Sequence, residues 1–487
     1  MNQSRVPMTS TTPKLVARPG YVRTDVAALW RLLLTLVLSV AVPLYLVVST
    51  DDVRRSSAWI LTVPVVAWSG YRLAQRVSDG SDRYAVLMFW IFNYIFFGLA
   101  PLVQLRTGLL PTTTDNVAAR FDERTMLVIV ASLAAFEVGS KLAPSRRDLG
   151  DTDEVHRGRI RARVVAAFCL IGLVLAWGYV ARVGIANVVA SRSVHASARS
   201  LLWPDPAVSE VAYATAFVPL LVGAHLLLLG RTRPDLVSSP KIRTGLMLLV
   251  FATLAIVVNP VGSARFIFGA VWLSVLAQRK FATRARARLF SLAIVVGFLF
   301  VFPIADKFSR PSAEGKKFRA LQVFQGNGDY DAFAQTNNSI NMVAHNGLSY
   351  GRQLAGLMFF WVPRSLWSGK PRDTALVISD FMGYSFKNLS APLVSELYVN
   401  GGVILVVIGF ALIGFALRRW LDGGGSAHSA ALCIVACVVP FYSPILLRGS
   451  LLQATGYAAL FALCVLILRW TTRASNRASS HIEVPLP

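Results

Sequence analysis

The sequence predicts an all-α, polytopic membrane protein of about twelve transmembrane helices. Three observations lead there. Only 15% of the 487 residues are charged, against about 25% in soluble domains, and the mean hydropathy is +0.55. The apolar residues come in long blocks rather than at helical or strand periods, and a bilayer core of roughly 30 Å needs about 20 such residues per helix. Finally, the alternating polarity over about 10-residue segments that marks a membrane barrel is missing. Lipid offers an open sheet edge no hydrogen-bond partner, so the blocks are expected to be helices.

The expected spans are 27–48, 57–71, 84–105, 125–142, 164–181, 208–229, 244–260, 264–278, 289–304, 402–417, 429–447 and 453–469. The first block is too long for a cleavable signal peptide and lacks a small-residue cleavage site. Basic residues settle the orientation, because cytoplasmic loops collect Lys and Arg. With the N-terminus inside, the inner loops hold Arg72, Arg76 and Arg83, the run from Lys141 to Arg163, and Arg231 to Arg243. They also hold Arg279 to Arg288, Arg418 and Arg419, and Arg469 to Arg477. The outer hairpins near 261 and 449 carry only Arg265 and Arg448. The expected arrangement is therefore N-in/C-in, multi-pass, in the plasma (inner) membrane.

The organisation that follows is a cytoplasmic tail at 1–24, a bundle of about nine spans over 25–303, and a long outer loop at 304–401. C-terminal spans over 402–470 and a cytoplasmic tail at 471–487 complete it. Both tails read as disordered. Within the outer loop, 354–362 (LAGLMFFWV) is apolar but about half a span long. Bounded by Arg352 and Arg364, it fits a re-entrant or interfacial helix; a crossing there would put Arg418 and Arg419 outside.

The net charge of +24, from 49 basic against 25 acidic residues, reads as topology signal and contact with anionic head groups rather than nucleic-acid binding. Cys169, Cys433, Cys437 and Cys464 lie inside apolar blocks and read as small hydrophobic residues, not as metal ligands or disulfides. No Walker-type loop appears, and no ATP or nucleotide-sugar site is expected. Arg31 and Glu137 sit near inner span boundaries, where long side chains snorkel to water. Asn93 and His225 read as interhelical hydrogen-bond glue. The spans lack the ladder of buried acids and bases that an ion-coupled transporter needs.

Chemistry concentrates in the outer loop, among cations such as Arg319, Arg352, Arg364, Lys370 and Arg372, carboxylates such as Asp331 and Glu396, and many aromatic rings. Guanidinium forks bind phosphate oxygens in pairs, and rings beside them can stack on sugars or anchor at head-group depth. Arg265 stands apart. It follows a short outer hairpin, NPVGSAR, where an arginine must find an anion or reach water. Pro260 and Gly262 would shape that turn and let a ligand approach closely.

VPRSLWSGKP (362–371) followed by NLSAPLVSELYVNGG (388–402) resembles the signature region of O-antigen or oligosaccharide repeat-unit polymerases, the Wzy-like membrane glycosyltransferases. FQGNGDYDAFAQTNNSINMV (324–343) is similar to another element of that family, and the GSAR hairpin resembles its membrane-edge arginine. Ser368 stands where many relatives carry proline. The resemblance covers the outer loop closely and the rest only through span count and spacing. It implies a GT-C-like fold and transfer of a glycan from a polyprenyl-pyrophosphate carrier to the sugar of a second lipid-linked repeat unit. Neither metal nor cofactor is implied. The implied partners are polyprenyl-pyrophosphate-linked oligosaccharides, the bilayer, a chain-length regulator and a flippase, with no nucleic acid.

Within that frame Arg265, Arg364, Lys370 and Arg319 are the expected pyrophosphate ligands, because a leaving group already charged needs cations rather than a proton. Glu396 is the first candidate for the catalytic base, with His345 and Asp331 behind it. Glu396 serves equally well as a partner of Arg364 or Lys370, and the two roles can coexist. A lipid-linked oligosaccharide flippase or exporter would show internal helical repeats and little outer loop. A glycan ligase, or a glycosyltransferase using a polyprenyl-phosphate sugar, is the nearer alternative. The latter type carries an acidic motif in a long first outer loop, whereas here 49–56 is short, with Asp51 and Asp52.

Overall fold

The structure, a computed structural model, describes residues 23–81, 83–144, 162–232, 240–278, 283–303, 323–421 and 429–480. Helices α1 (Ala27–Val48), α2 (Trp59–Asp79), α3 (Tyr84–Thr107) and α4 (Asp122–Leu142) come first. They are followed by α5 (Ala162–Val183) and by two short helices, α6 (Ile185–Val189) and α7 (Arg192–Leu202). Then come α8 (Pro206–Thr232), α9 (Pro240–Val257), α10 (Arg265–Ala277) and α11 (Arg284–Val296). Before α15 come α12 (Ala332–Asn346), α13 (Arg352–Met358) and α14 (Thr374–Met382). The chain continues through α15 (Leu393–Ala416), α16 (Ala430–Arg448) and α17 (Leu451–Ser480).

Among the described residues there is no strand. Among the same residues eight helices, namely α1, α3, α4, α5, α8, α15, α16 and α17, are long and apolar enough to cross a membrane, as a multi-pass membrane protein requires. The described parts of the other four expected spans, in α2, α9, α10 and α11, are helical too. Helix α2 carries Arg72, Arg76 and Asp79, and α10 is 13 residues long.

Several expectations are corrected. Arg31 and Glu137 do not simply snorkel: Arg31 pairs with Asp79 at 3.0 Å and Glu137 with Arg72. Asn93 donates to Phe89 O of its own helix at 2.8 Å rather than across helices. His225 does bridge, from α8 to Ser274 (3.2 Å) and Gln278 at the end of α10. The C-terminal tail expected to be disordered from 471 is helical to Ser480, while 1–22 and 481–487 lie outside the described residues.

The helices form two packs. One core draws on α1 to α4, α11, α12 and α15, and the other on α5, α8, α9 and α17; α10 and α16 contribute buried residues to both, as Ala270 and Ile267, or Phe441 and Val438, show. Lipid tails are as apolar as leucine, so helices must associate here by close packing and polar contacts. Glycine supplies the closeness. A Cβ on Gly139 of α4 would overlap the carbonyl of Ala411, and one on Gly414 of α15 that of Phe136. In the second pack, a Cβ on Gly172 would lie 2.7 Å from the backbone of Leu220.

Replacing Gly139 or Gly414 by leucine should therefore separate α4 from α15 and lower stability by about 1–3 kcal/mol or more. Gly178, whose added Cβ would meet nothing within 4 Å, is the matched control. Thermal unfolding in detergent measures both, and equal midpoints for Gly139→Leu and Gly178→Leu would refute the close-packing account.

Candidate functional site

Two carboxylates fasten the segment just before α12 to the bundle. Asp329 pairs with Arg265 at the start of α10 and lies 3.8 Å from Arg448 at the end of α16. Asp331 takes Arg448 at 3.2 Å and the amide of Ser390 at 3.0 Å. Arg448 also donates to the carbonyls of Asp329 (3.0 Å) and Gly328 (3.2 Å), and Arg265 to that of Phe302 (3.0 Å). The guanidinium groups lie over Phe266 and Phe302, respectively.

Arg265 thus finds the anion that its position demands, but the anion belongs to the protein. Asp331 is buried, and burial pushes its carboxyl above the usual range while Arg448 opposes the shift. Both residues are deep in a structural network rather than open to a ligand. The close approach expected at Gly262 is likewise internal. A Cβ there would overlap the carbonyl of Val188, just before the turn into α7, and Asn259 Oδ1 takes the amides of Val261 (3.0 Å) and Gly262 (2.6 Å).

Glu396 occupies a different place from the one expected. Helix α15 starts at Leu393, so Glu396 lies within it, on a half-helix buried from Val394 to Asn400. That half-helix ends where Gly401 and Gly402 leave helical geometry. Gly402 has φ +63° with ψ −155°, a region essentially closed to residues with a Cβ. The carboxylate faces neither Arg364 nor Lys370. Its Oε2 accepts from Thr374 Oγ1 (2.6 Å), and its Oε1 from Ser450 Oγ (3.2 Å) and the amide of Leu451 (3.0 Å). Leu451 begins α17, so the helix N-terminus directs its positive end at the carboxylate. Asp373 is also buried and caps α14 through the amides of Ala375 (2.9 Å) and Leu376 (3.4 Å); burial pushes its carboxyl up. A cleft with a cavity volume of ≈ 10 Å³, about one water's worth, reaches Glu396 between Gln353, Arg372 and Leu452.

One turn further along, Asn400 organises the neighbouring loop. Its Oδ1 accepts from Ser349 Oγ (3.0 Å) and from the amides of Gln353 (3.1 Å) and Leu354 (3.3 Å), which caps the start of α13. The carbonyls of Val399 and Asn400, next to the helix break, take the amides of Ser349 (2.8 Å) and Gly351 (3.2 Å). Helix α13 is seven residues long and covers the first part of the apolar run 354–362.

The loop that follows is built around cations. Arg364 donates to the carbonyls of Lys370 (2.8 Å) and Pro371 (3.3 Å). Lys370 Nζ donates to Phe360 O (2.6 Å) and Val362 O (2.9 Å), and Arg352 to Gly369 O (3.0 Å). None of these three is ion-paired with a carboxylate among the described residues. Arg372 and Lys387, by contrast, share Asp380. Phe359, Trp361 and Leu366 of the same loop are exposed, as residues seated in a membrane interface are. His345 is exposed at the end of α12 with Nδ1 facing Asn341 O (2.8 Å), and its ring meets Phe381 rather than Glu396. Arg319 lies outside the described residues.

The chain matches no protein-family model, no curated protein and no solved structure.

The structure brings Arg364 and Lys370 together, adds Arg352, and places Glu396 nearby across Thr374 and Arg372. It holds Arg265 and Asp331 in a separate anchoring network. Arg448, Arg352 and Thr374 were not among the expected catalytic or pyrophosphate-binding residues. Arg448 carried the same signal as Arg265, a lone arginine in a short outer turn, and Arg352 bounded the apolar run.

Removing either partner of a buried ion pair leaves the other uncompensated, at a cost of about 3–5 kcal/mol. Arg265→Ala and Arg448→Ala should each lower the thermal midpoint of the purified protein. Arg265→Ala combined with Asp329→Ala should lose less than the sum of the single changes. Strict additivity would show that the pair does not hold the segment.

Proposed function

We propose that the protein is a membrane glycan polymerase. It transfers a growing glycan from a polyprenyl-pyrophosphate carrier to a hydroxyl of a second lipid-linked repeat unit, on the side of the plasma membrane where the outer segment lies. The proposal includes twelve crossings and the N-in/C-in orientation that the charge bias supports. The observation that carries it is the loop from Phe359 to Pro371. Among the described residues its cations, with Arg352, are held by backbone carbonyls and have no carboxylate partner, and Phe359, Trp361 and Leu366 are exposed. Such a loop suits an anionic group attached to a lipid.

In the reaction, the bond between the anomeric carbon and the pyrophosphate oxygen breaks, and the carrier leaves with the electron pair. The acceptor oxygen forms the new bond and gives up its proton. Arg364, Lys370 and Arg352 stabilise the charge that collects on the departing pyrophosphate. Glu396 takes the proton. A carboxylate has about four lone-pair sites, and three donors occupy those of Glu396, so one remains for the acceptor hydroxyl. The cleft at Glu396 must widen to admit a sugar, and the loop bearing Pro371 and Arg372 is its movable wall.

Deleting the gene and sizing the surface polysaccharide tests the reaction class. Accumulated single repeat units support polymerisation. Loss of translocated units would indicate a flippase, and full-length polymer left on its carrier a ligase. Arg364→Ala should abolish polymer while the protein level stays normal, because Arg364 is exposed and among the described residues bonds only its own loop; wild-type chain lengths would overturn the assignment. Partial burial, then the charge of Arg364, hold the Lys370 ammonium below its ordinary range. It therefore loses its proton earlier as pH rises, and polymer formation should fall on the alkaline side. Lys370→Arg should shift that fall to higher pH, in a pH profile taken with purified enzyme and lipid-linked donor.

A further inference from the structure

Asp373 is a buried carboxyl beside Glu396 with no part in the transfer step. Its neighbour in sequence, Thr374, donates to Glu396, and Ser450 serves both acids. The Ser450 hydroxyl donates to Glu396 Oε1 at 3.2 Å and also stands beside the Asp373 carboxyl. Asp373, Glu396 and Ser450 are each more than nine-tenths buried. Among the described residues neither carboxyl is ion-paired. The elements packed around them present Gln353 of α13, Leu452 of α17 and Arg372, whose guanidinium pairs with Asp380 at 2.7 Å.

The two carboxyls are not bonded alike. Both oxygens of Glu396 accept, and the 2.6 Å bond from Thr374 Oγ1 has the length of a hydroxyl-to-carboxylate contact. Asp373 Oδ1 takes the amides of Ala375 and Leu376, while its Oδ2 is buried without a hydrogen bond. A bare, buried carboxylate oxygen is costly, and two neighbouring like charges disfavour double ionisation. A proton on Oδ2 removes both costs, because an acid has an O–H to give. The Ser450 oxygen has lone pairs to receive it, and its single proton is already directed at Glu396.

We propose that Asp373 carries a proton and is a positioning residue for Glu396. The Asp373 acid donates to Ser450, which fixes the serine hydroxyl on Glu396 and holds that carboxylate in its ionised, proton-accepting form. This chain deepens, and rests on, the reading of Glu396 as the base of glycan transfer. Burial of Asp373, which pushes its carboxyl up, works in the same direction.

Infrared spectra of the full chain in nanodiscs, without substrate, test the proton directly. At neutral pH the wild type should show a carboxylic-acid C=O band that Asp373→Asn removes and Glu396→Gln retains. Ser450→Ala takes away the acceptor and should move that band to higher frequency. With lipid-linked donor, Asp373→Ala should lower kcat and leave KM. Asp373→Asn should restore kcat, because its amide oxygen still caps α14 and its NH2 donates to Ser450 as the acid does. No such band in the wild type, or one removed by Glu396→Gln instead of Asp373→Asn, would overturn the proposal. So would a band unmoved in Ser450→Ala, or an Asp373→Asn variant as slow as Asp373→Ala. The band needs no substrate, so the proposal can fail while polymer still forms. Absent turnover in the wild type would overturn the polymerase reading, and with it the catalytic use of the pair, but not the proton on Asp373.

Discussion

Asp329 is shared between two arginines that arrive on different helices, Arg265 at the start of α10 and Arg448 at the end of α16. Everything placed by the outer segment depends on this junction, because the two helices cannot carry uncompensated guanidinium groups at a membrane boundary without a carboxylate to meet them. The carboxylate can reach them only if the segment from Gly328 to Asp331 lies across the bundle. Buried pairs of this kind contribute little net stability relative to apolar packing, and their effect is to select one arrangement by making the alternatives costly. Asp331, through Ser390, extends the same constraint to the strand of loop that leads into α15. One buried anion pair thus sets where α12 begins and where α15 approaches.

The half-helix of α15 then acts as a hub for the surrounding segments. Ser395 meets Thr336 of α12 at 3.2 Å, Glu396 meets Thr374 and the start of α17, and Asn400 caps α13. Tyr398 is buried with Arg124 over its ring. Each contact is polar and short, which suits a region where lipid-like surroundings give apolar contact little power to discriminate. The carbonyl-tethered cations of the neighbouring loop owe their position to this hub through Asn400 and α13.

Much of this was legible from the sequence, and the division has a physical basis. A membrane-crossing helix is specified by composition over a long block, so α1, α3, α5 and α16 fall where apolar runs place them. The short helices α6 and α7 were not visible, since a polar stretch such as RSVHASAR resembles an ordinary loop. The start of α15 was misplaced because Glu396 and Asn400 look like loop residues until their partners at Thr374, Ser450 and Ser349 are known. Those partners lie 22, 54 and 51 residues away. For the same reason Arg265 could be marked as needing an anion but not matched to Asp329. Local pattern identifies which groups cannot stand alone; only the tertiary fold decides which group answers them.

The break at Gly401 and Gly402 separates two mechanical tasks that a continuous α15 would merge. Below it, the apolar shaft must follow the bilayer, and its tilt changes with hydrocarbon thickness. Above it, the segment carrying Glu396 and Asn400 is held by α4, α12, α13, α14 and the head of α17. With helical geometry interrupted between them, a few degrees of tilt in the shaft do not become a displacement of the carboxylate. The pair of glycines works as an isolation joint, so the catalytic geometry proposed here is set by protein contacts and not by the membrane in which the chain happens to sit.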